Sequence, residues 1–170
     1  IDVGFIAKVI ILYKNTVFDM SYAELHCLSN YSFLRGASHP SELVEQAVHL
    51  GYSALAITDE CSLAGIVKAH VVAKELDFKL IIGSEFNVSE GLKLVAIAPS
   101  RAAYGELSNL ISRSRRRSEK GQYLTHLRDI YFHLKRCFII WLPTHIDEEK
   151  HHADILSRRF ADRFLSLIHI

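Results

Sequence analysis

The sequence predicts an α/β fold built on a parallel sheet. Short apolar strands alternate with amphipathic helices between residues 22 and 83, and this order favours parallel strands joined by right-handed crossovers. Hydrophobic residues make up 49% of the 170 residues, which is enough to form a buried core. A histidine and several acidic residues stand at the ends of three predicted strands, where folds of this class bind their ligands.

The first half of the chain predicts three strands and two helices. The first helix begins near Ser38, a residue type that caps helices, has Pro40 in its first turn and ends at Gly51. A second helix is expected where apolar residues predominate, over residues 63–76. The strands are short apolar runs, expected over residues 22–26, 53–58 and 79–83.

The second half predicts a hairpin, three further helices and one more strand. The hairpin turns at Gly91, between strands over residues 86–88 and 93–98. Pro143 ends a strand over residues 137–142. The helices are expected over residues 99–112, 122–134 and 147–159, of which the middle one has the weakest pattern.

We expect one domain over residues 20–164, because no repeat or low-complexity linker divides this stretch. Met20 is the expected natural start, so residues 1–19 are interpreted as an upstream or non-native segment. The apolar residues 165–170 carry no helix cap and are interpreted as a tail of artefactual origin.

Composition excludes several classes of function. The 20 basic and 19 acidic residues give a net charge of +1, so any binding to nucleic acid requires a local patch. The apolar run at residues 9–13 is far shorter than the roughly 20 residues of a membrane span, and no membrane partner is expected. The three cysteines form no CxxC pair, which argues against a thiolate zinc site or disulfides and favours a reducing cytoplasm.

Four residues form the candidate site: His26, Asp59, Glu60 and Glu85, which follow three predicted strands. Imidazole and carboxylate ligands suit zinc, manganese or iron, and such ions can activate water and stabilise phosphate charge. No HxH or HExxH pair is present. The alternative is that each residue caps a turn or pairs with a neighbour.

Three stretches resemble, in order, motifs of the PHP domain of bacterial family C DNA polymerases. They are residues 24–36, which contain Glu24-Leu25-His26, residues 54–59 and residues 80–86. The similarity is dense over residues 20–87 and looser through 94–123 and 138–143, and it is strongest to the damage-tolerant branch of the family. It implies a distorted seven-stranded (β/α) barrel, incomplete here, with metals at the strand ends.

The resemblance also implies that the metal site is degenerate. His26, Asp59 and Glu85 match metal-binding positions of the family. Four positions depart from its pattern: Leu28 and Glu60 stand where histidines are expected, Arg35 where an acid is expected, and Lys93 where a histidine is expected.

Our hypothesis is that Arg35 and Lys93 replace the metal ions as counter-charges for Asp59, Glu60 and Glu85. Fixed positive charge in a partly buried site repels divalent cations, so no metal is expected; His26, Asp59 and Glu85 would be the ligands if one bound. Two alternatives are an active metal-dependent phosphoesterase or proofreading exonuclease, and a non-catalytic adaptor that docks a polymerase partner.

Two further groups of residues are candidates for contacts. Tyr31, Phe33 and Leu34 are expected to pack in the core, with covering of the barrel mouth as the alternative. A basic run could neutralise DNA phosphates, although such a run is more often a solvated helix face. Its residues are Arg113, Arg115, Arg116, Arg117 and Lys120.

The resemblance implies a polymerase as the parent protein. Nucleotidyl transfer needs acidic residues that hold two Mg²⁺ ions, and in this family those residues lie in the palm domain, outside this chain. We therefore expect no catalytic residue and no cofactor within the chain. The implied partners are DNA and dNTPs, the palm and thumb domains of the same polymerase, and other damage-response factors, all in the cytoplasm.

Overall fold

A computed structural model describes residues 22–144 and 146–166. These residues form a six-stranded sheet in which the strands are ordered as in the sequence. None of the helices within these ranges is long and apolar enough to cross a membrane. The elements are β1 (Ala23–Cys27), α1 (Pro40–His49), β2 (Ala54–Ile57), α2 (Ile66–Glu75), β3 (Leu80–Asn87), β4 (Lys93–Ile97), α3 (Arg101–Arg116), α4 (Leu127–His133), β5 (Phe138–Trp141), α5 (Ile146–Phe160), a 3-10 helix (Ala161–Arg163) and β6 (Phe164–Ser166).

The sheet is parallel at one end and mixed at the other. Strands β1, β2 and β3 are parallel, as their alternation with helices predicts. Strand β4 is antiparallel to both β3 and β5, and β6 is parallel to β5. The structure therefore confirms the α/β class and the hairpin, and an open six-stranded sheet fits an incomplete barrel.

Strand β3 corrects one prediction. Residues 79–83 and 86–88 were expected as two strands, but Leu80–Asn87 is continuous. Its first half pairs with β2, and its second half, from Gly83 onward, pairs with β4. The change of partner keeps the backbone hydrogen-bonded throughout, so Glu85 lies inside a strand and not at its end.

The other differences lie at element ends. Helix α1 begins after His39, one residue later than expected, and the backbone N–H of His39 donates to Glu42 Oε2 at 2.8 Å. The sheet also extends past the predicted boundary at 164, because Leu165 and Ser166 pair with β5. The predicted segment 1–19 and the last four residues (167–170) of the predicted tail 165–170 lie outside the described residues.

The two faces of the sheet bury different sets of side chains. Along β2, Leu55 and Ile57 pack under α1 and α2, whereas Ala56 faces the opposite side, as the two-residue period of a strand requires. Strand β4 alternates in the same way: Leu94 packs on the side of α3 and α4, and Val95 lies on the other. The helices therefore cover one face and leave a smaller apolar cluster on the opposite face.

The loop between β1 and α1 is fixed by its own hydrogen bonds. The backbone N–H groups of Arg35 and Gly36 both donate to Ser32 O at 3.0 Å, and Asn30 N donates to Ser38 O at 2.9 Å. A Cβ atom on Gly36 would lie 2.0 Å from the backbone oxygen of Ser29, so the loop closes only around glycine.

The tip of this loop corrects a second prediction. Phe33 and Leu34 are 84% and 89% exposed, and Tyr31 is 37% exposed. The prediction that these three side chains pack in the core is therefore wrong. Leu34 also has a φ of 61°, in the left-handed region that leucine adopts at a cost.

We predict opposite effects of alanine at two glycines. Gly36→Ala should lower the free energy of unfolding by about 1–3 kcal/mol, because the new Cβ meets backbone that cannot move freely. Gly105→Ala should raise it by about 0.5–1 kcal/mol, since Gly105 lies in α3 with open space around the position that a Cβ atom would take. Urea unfolding followed by circular dichroism tests both. A stabilised or unchanged Gly36→Ala variant would contradict the closed loop.

Candidate functional site

The candidate site lies where three segments of backbone meet. His26 stands near the end of β1, Asp59 and Glu60 follow β2, and Glu85 lies within β3. Glu60 forms a parallel bridge with Glu85, and the Glu85 N–H donates to Thr58 O at 3.1 Å. The structure thus brings together all four residues that the sequence singles out.

Glu85 is the centre of the site. Its side chain is fully buried, and His26 Nε2 lies 2.7 Å from its Oε2 atom. Arg35 binds both oxygens, through Nη1 to Oε1 and through Nη2 to Oε2 at 3.2 Å. An ionised carboxylate only accepts hydrogen bonds, so His26 Nε2 is the donor in its pair.

The surroundings of Glu85 favour its ionised form. Burial alone would raise the pKa of this carboxyl, but hydrogen bonds from His26 and Arg35, together with the charge of Arg35, outweigh burial and lower the pKa to about 2. The same contact raises the pKa of the Arg35 guanidinium. Both groups are therefore charged at neutral pH, and the protein's own side chains compensate the buried anion.

Glu60 shares Arg35 with Glu85. Its Oε2 atom accepts from Arg35 Nη1 at 2.7 Å, and its Oε1 atom accepts from Asn87 Nδ2 at 2.6 Å and from the Tyr123 hydroxyl at 2.8 Å. Burial raises the pKa of Glu60, but Arg35 and Tyr123 outweigh burial and lower it. Arg35 therefore lies between the two glutamates and binds both.

Asp59 is held by uncharged donors. Its Oδ1 atom accepts from the Ser29 N–H at 2.8 Å and from the Ser32 hydroxyl at 2.7 Å, and its Oδ2 atom accepts from the Ser29 hydroxyl at 2.6 Å. We expected Arg35 and Lys93 to neutralise this carboxylate. The serines of the β1–α1 loop stabilise it instead.

Lys93 lies two residues along the hairpin from the partner of Glu85. It begins β4 opposite Asn87, whereas Glu85 pairs with Val95 two residues further along. Within the described ranges Lys93 forms no ion pair. This differs from the prediction that Lys93 is a counter-charge, and of the two candidate replacements only Arg35 lies against the carboxylates.

The donor set as arranged does not fit a metal ion. Each carboxylate oxygen of Asp59, Glu60 and Glu85 already accepts a hydrogen bond from the protein. The Arg35 guanidinium lies between the two glutamates, where it repels a cation. In the part of the chain that the structure describes, no group of three or more His, Cys, Asp or Glu side chains is placed to bind a metal.

The sequence reasoning missed several residues that support the site. Ser29 and Ser32 stand in the polar turn after His26, and hydroxyl residues in such a turn are a signal for side-chain caps. Asn87 and Tyr123 had no such signal, because their contacts depend on the register of β3 and the path of the chain after α3. Glu24 is also buried, and it accepts from the His26 N–H at 2.8 Å.

The basic run does not form one surface. Arg115 donates to Glu60 O and Cys61 O, both at 3.2 Å, so it anchors α3 to the segment that carries the site. Arg117 forms an ion pair with Asp129. Of the five residues of the basic run, Arg113, Arg116 and Lys120 are exposed and form no ion pair among the described residues.

We predict that Glu85 makes stability depend on acid pH. A carboxyl with a folded pKa of about 2 against an ordinary 4.5 contributes stability that is complete above pH 4.5 and is lost as the pH falls through 2. The contribution is about 3 kcal/mol. Urea unfolding across this range should show that the free energy of unfolding falls less on acidification for Glu85→Gln than for the unmodified protein.

The control for this measurement is Glu45→Gln, which removes an exposed carboxylate of α1. Its free energy of unfolding should fall on acidification by as much as that of the unmodified protein. A Glu85→Gln variant whose free energy of unfolding falls by as much as that of the control would contradict the ionised, buried Glu85.

Comparison with known proteins relates the chain to polymerases. It is 64% identical over 124 residues to the error-prone DNA polymerase of Saccharophagus degradans and covers 12% of that protein with 73% of its own length. It is 56% identical over 144 residues to the error-prone DNA polymerase of Teredinibacter turnerae, covering 14% of that protein with 85% of its own length. The chain thus spans only about an eighth of these relatives.

A solved structure shares the fold. It is a provisionally assigned metal-dependent phosphoesterase from Bifidobacterium adolescentis, matched with a TM-score of 0.60 at 17% identity over 85% of this chain and 75% of the other. At this identity the likeness concerns the fold alone. The family model of the PHP domain matches residues 24–160, which include the whole candidate site. The chain therefore belongs to the PHP domain family.

Proposed function

We propose that the protein is a structural PHP domain of an error-prone DNA polymerase and that its site works without metal. One observation carries the proposal: the protein's own donors occupy every carboxylate oxygen of Asp59, Glu60 and Glu85. In this role the site joins the β1–α1 loop, the segment after β2 and strand β3 through hydrogen bonds and ion pairs.

The proposal assigns nucleotidyl transfer to other segments of the polymerase. That chemistry uses acidic residues that hold two Mg²⁺ ions, and here the acidic residues of the site are engaged with Arg35, the serines, Asn87 and Tyr123. DNA and dNTPs would be substrates of the whole enzyme, with Mg²⁺ held in its palm domain. The activity proposed for the parent protein is DNA synthesis past damage, in the cytoplasm. Other damage-response factors are its proposed partners.

The second candidate is a metal-dependent phosphoesterase or proofreading exonuclease, because a solved structure with this fold carries a phosphoesterase name. Activation of water by metal requires open coordination positions. Arg35 lies against Glu60 and Glu85 with a fixed positive charge, and Leu28 offers no ligand atom. The geometry therefore favours the structural role.

The exposed loop tip supports docking on the rest of the polymerase. Phe33 and Leu34 are almost fully exposed, yet the loop that carries them is held by hydrogen bonds at Ser32 and by the ion pairs of Arg35. A loop whose backbone is already held in one conformation loses little backbone entropy on binding. We propose that the pair contacts the palm or thumb segment of the same polymerase.

We predict that Arg35→Ala lowers the free energy of unfolding by about 2–3 kcal/mol, because it removes charge-assisted hydrogen bonds and leaves Glu85 with His26 alone. The side chain of Arg35 is 32% exposed, which keeps the loss below that of a fully buried pair. Arg136→Ala is the control. Its pair with Glu106 is 62% exposed on the arginine side, and the expected loss is below about 1 kcal/mol.

Chelation separates the two candidate functions. EDTA should leave the melting temperature of the unmodified protein unchanged, and elemental analysis should find no bound metal. Stoichiometric manganese, zinc or iron, with phosphodiesterase turnover that is lost in His26→Ala, would overturn the structural role.

We predict that Phe33→Ser/Leu34→Ser weakens association without changing stability, since both side chains are exposed. The measurement is pull-down of the chain by the remaining segments of the Saccharophagus degradans polymerase, with melting curves in parallel. Val67→Ser is the control, because Val67 is an apolar residue of α2 that is also 70% exposed. Equal capture of the double variant and the unmodified chain would refute docking through the loop tip.

A further inference from the structure

The outer face of α3 carries a groove with a basic end. The groove is shallow and open to solvent, because α3 alone lines it. Polar and apolar atoms contribute about equally to its lining, which comes from one helix. The lining residues are Tyr104, Gly105, Ser108, Asn109, Ser112, Arg113 and Arg116.

The two arginines of the groove differ from their neighbours in the basic run. Arg115 and Arg117 are engaged with the protein, through the carbonyls of Glu60 and Cys61 and through Asp129. Arg113 and Arg116 are exposed, and among the described residues their side chains form no hydrogen bond or ion pair. Their charge is therefore available to a ligand from outside.

The rest of the groove suits a phosphodiester backbone. Apart from its chain neighbours and the helix's own backbone, no atom would lie within 4 Å of a Cβ atom added to Gly105, so a bulky chain can approach the helix closely at this point. Asn109 is exposed and offers amide N–H donors, of the kind that contact phosphate and sugar, whereas the Ser112 hydroxyl already donates to Ser108 O at 2.9 Å. Tyr104 is 37% exposed and presents a ring on which a base or sugar can stack.

Acidic side chains do not cancel this charge. Glu106, the one acid within α3, is engaged by Arg136 through both its side chain and its backbone N–H. Glu119 is exposed beyond the end of the helix, next to Lys120, which adds a further cation at the same end. The arginine end of the groove is thus net positive.

We propose that this face of α3 binds the sugar-phosphate backbone of DNA, with Arg113 and Arg116 neutralising phosphates. The inference rests on the proposed membership of a DNA polymerase, which supplies the ligand, and it adds a surface that is separate from the ion cluster around Glu85. Contacts to phosphate fix position and carry no sequence information, so the surface binds DNA without sequence preference.

Fluorescence anisotropy with a fluorescein-labelled DNA duplex tests the proposal across a range of KCl concentrations. Arg113→Ala/Arg116→Ala should weaken binding and make the slope of log K against log[KCl] shallower by about 2, because each lost phosphate contact removes about 0.9. Arg158→Ala/Arg159→Ala is the matched control, since it removes two exposed arginines from α5. The control should bind as the unmodified protein does.

A second variant keeps both arginines in place. Asn109→Glu adds a negative charge in the groove, on an exposed helix position, and should also weaken binding. Unchanged binding by both groove variants would overturn the proposal, as would an equal loss in the α5 control. Displacement of the DNA by polyglutamate at equal charge concentration would also overturn it, in favour of an acidic protein partner.

These outcomes are independent of the structural role proposed for the site. The DNA-binding assay does not involve Arg35 or metal, and the groove variants should keep the melting temperature of the unmodified protein. Failure of the groove to bind DNA in a stable, metal-free domain would therefore refute only the inference about α3.

Discussion

The buried charge of Glu85 is the constraint on which the site depends. An ionised carboxylate without exposure to water is strongly destabilising unless other groups compensate it. Here the compensation is specific: Arg35 binds both oxygens and His26 binds one. The backbone of the same residue is engaged on both sides, because its N–H donates to Thr58 O and its C=O accepts from Cys61 N. Movement of the segment after β2 would break these backbone hydrogen bonds of Glu85.

Two different devices stabilise the carboxylates of the site. Glu60 and Glu85 share a cation, whereas Asp59 is surrounded by an N–H group and two hydroxyls from Ser29 and Ser32. Ser32 also accepts from the Glu60 N–H at 2.9 Å, so one loop serves both devices. This arrangement makes the loop conformation, and with it Gly36, a condition for placing Arg35. The carboxylates therefore hold the loop in place, and the loop in turn positions Arg35 against Glu60 and Glu85.

The sequence predicted the parts of this structure that local patterns determine. Apolar runs and their spacing located the strands and helices. The cation against Glu60 and Glu85 was instead implied by the resemblance to the PHP family, in which an acid is expected at the position of Arg35. The role given to Lys93 differed from the structure because it required the register of β4, in which Val95 lies opposite Glu85. The register of a hairpin follows from the strand pattern and the turn, but the predicted hairpin strand began at Phe86 and so left Glu85 outside the pairing.

The basic run shows the same limit and connects the two functional proposals. Neighbouring arginines of α3 point in different directions because a helix turns by about 100° per residue. Arg115 donates to Glu60 O and Cys61 O and lies over the Tyr123 ring, 5.3 Å from its centre. Tyr123 in turn binds Glu60. The helix that presents Arg113 and Arg116 outward is thus fastened by Arg115 to the residues around the ion cluster. DNA bound along α3 would therefore contact a helix that the hydrogen bonds of Arg115 hold against the site.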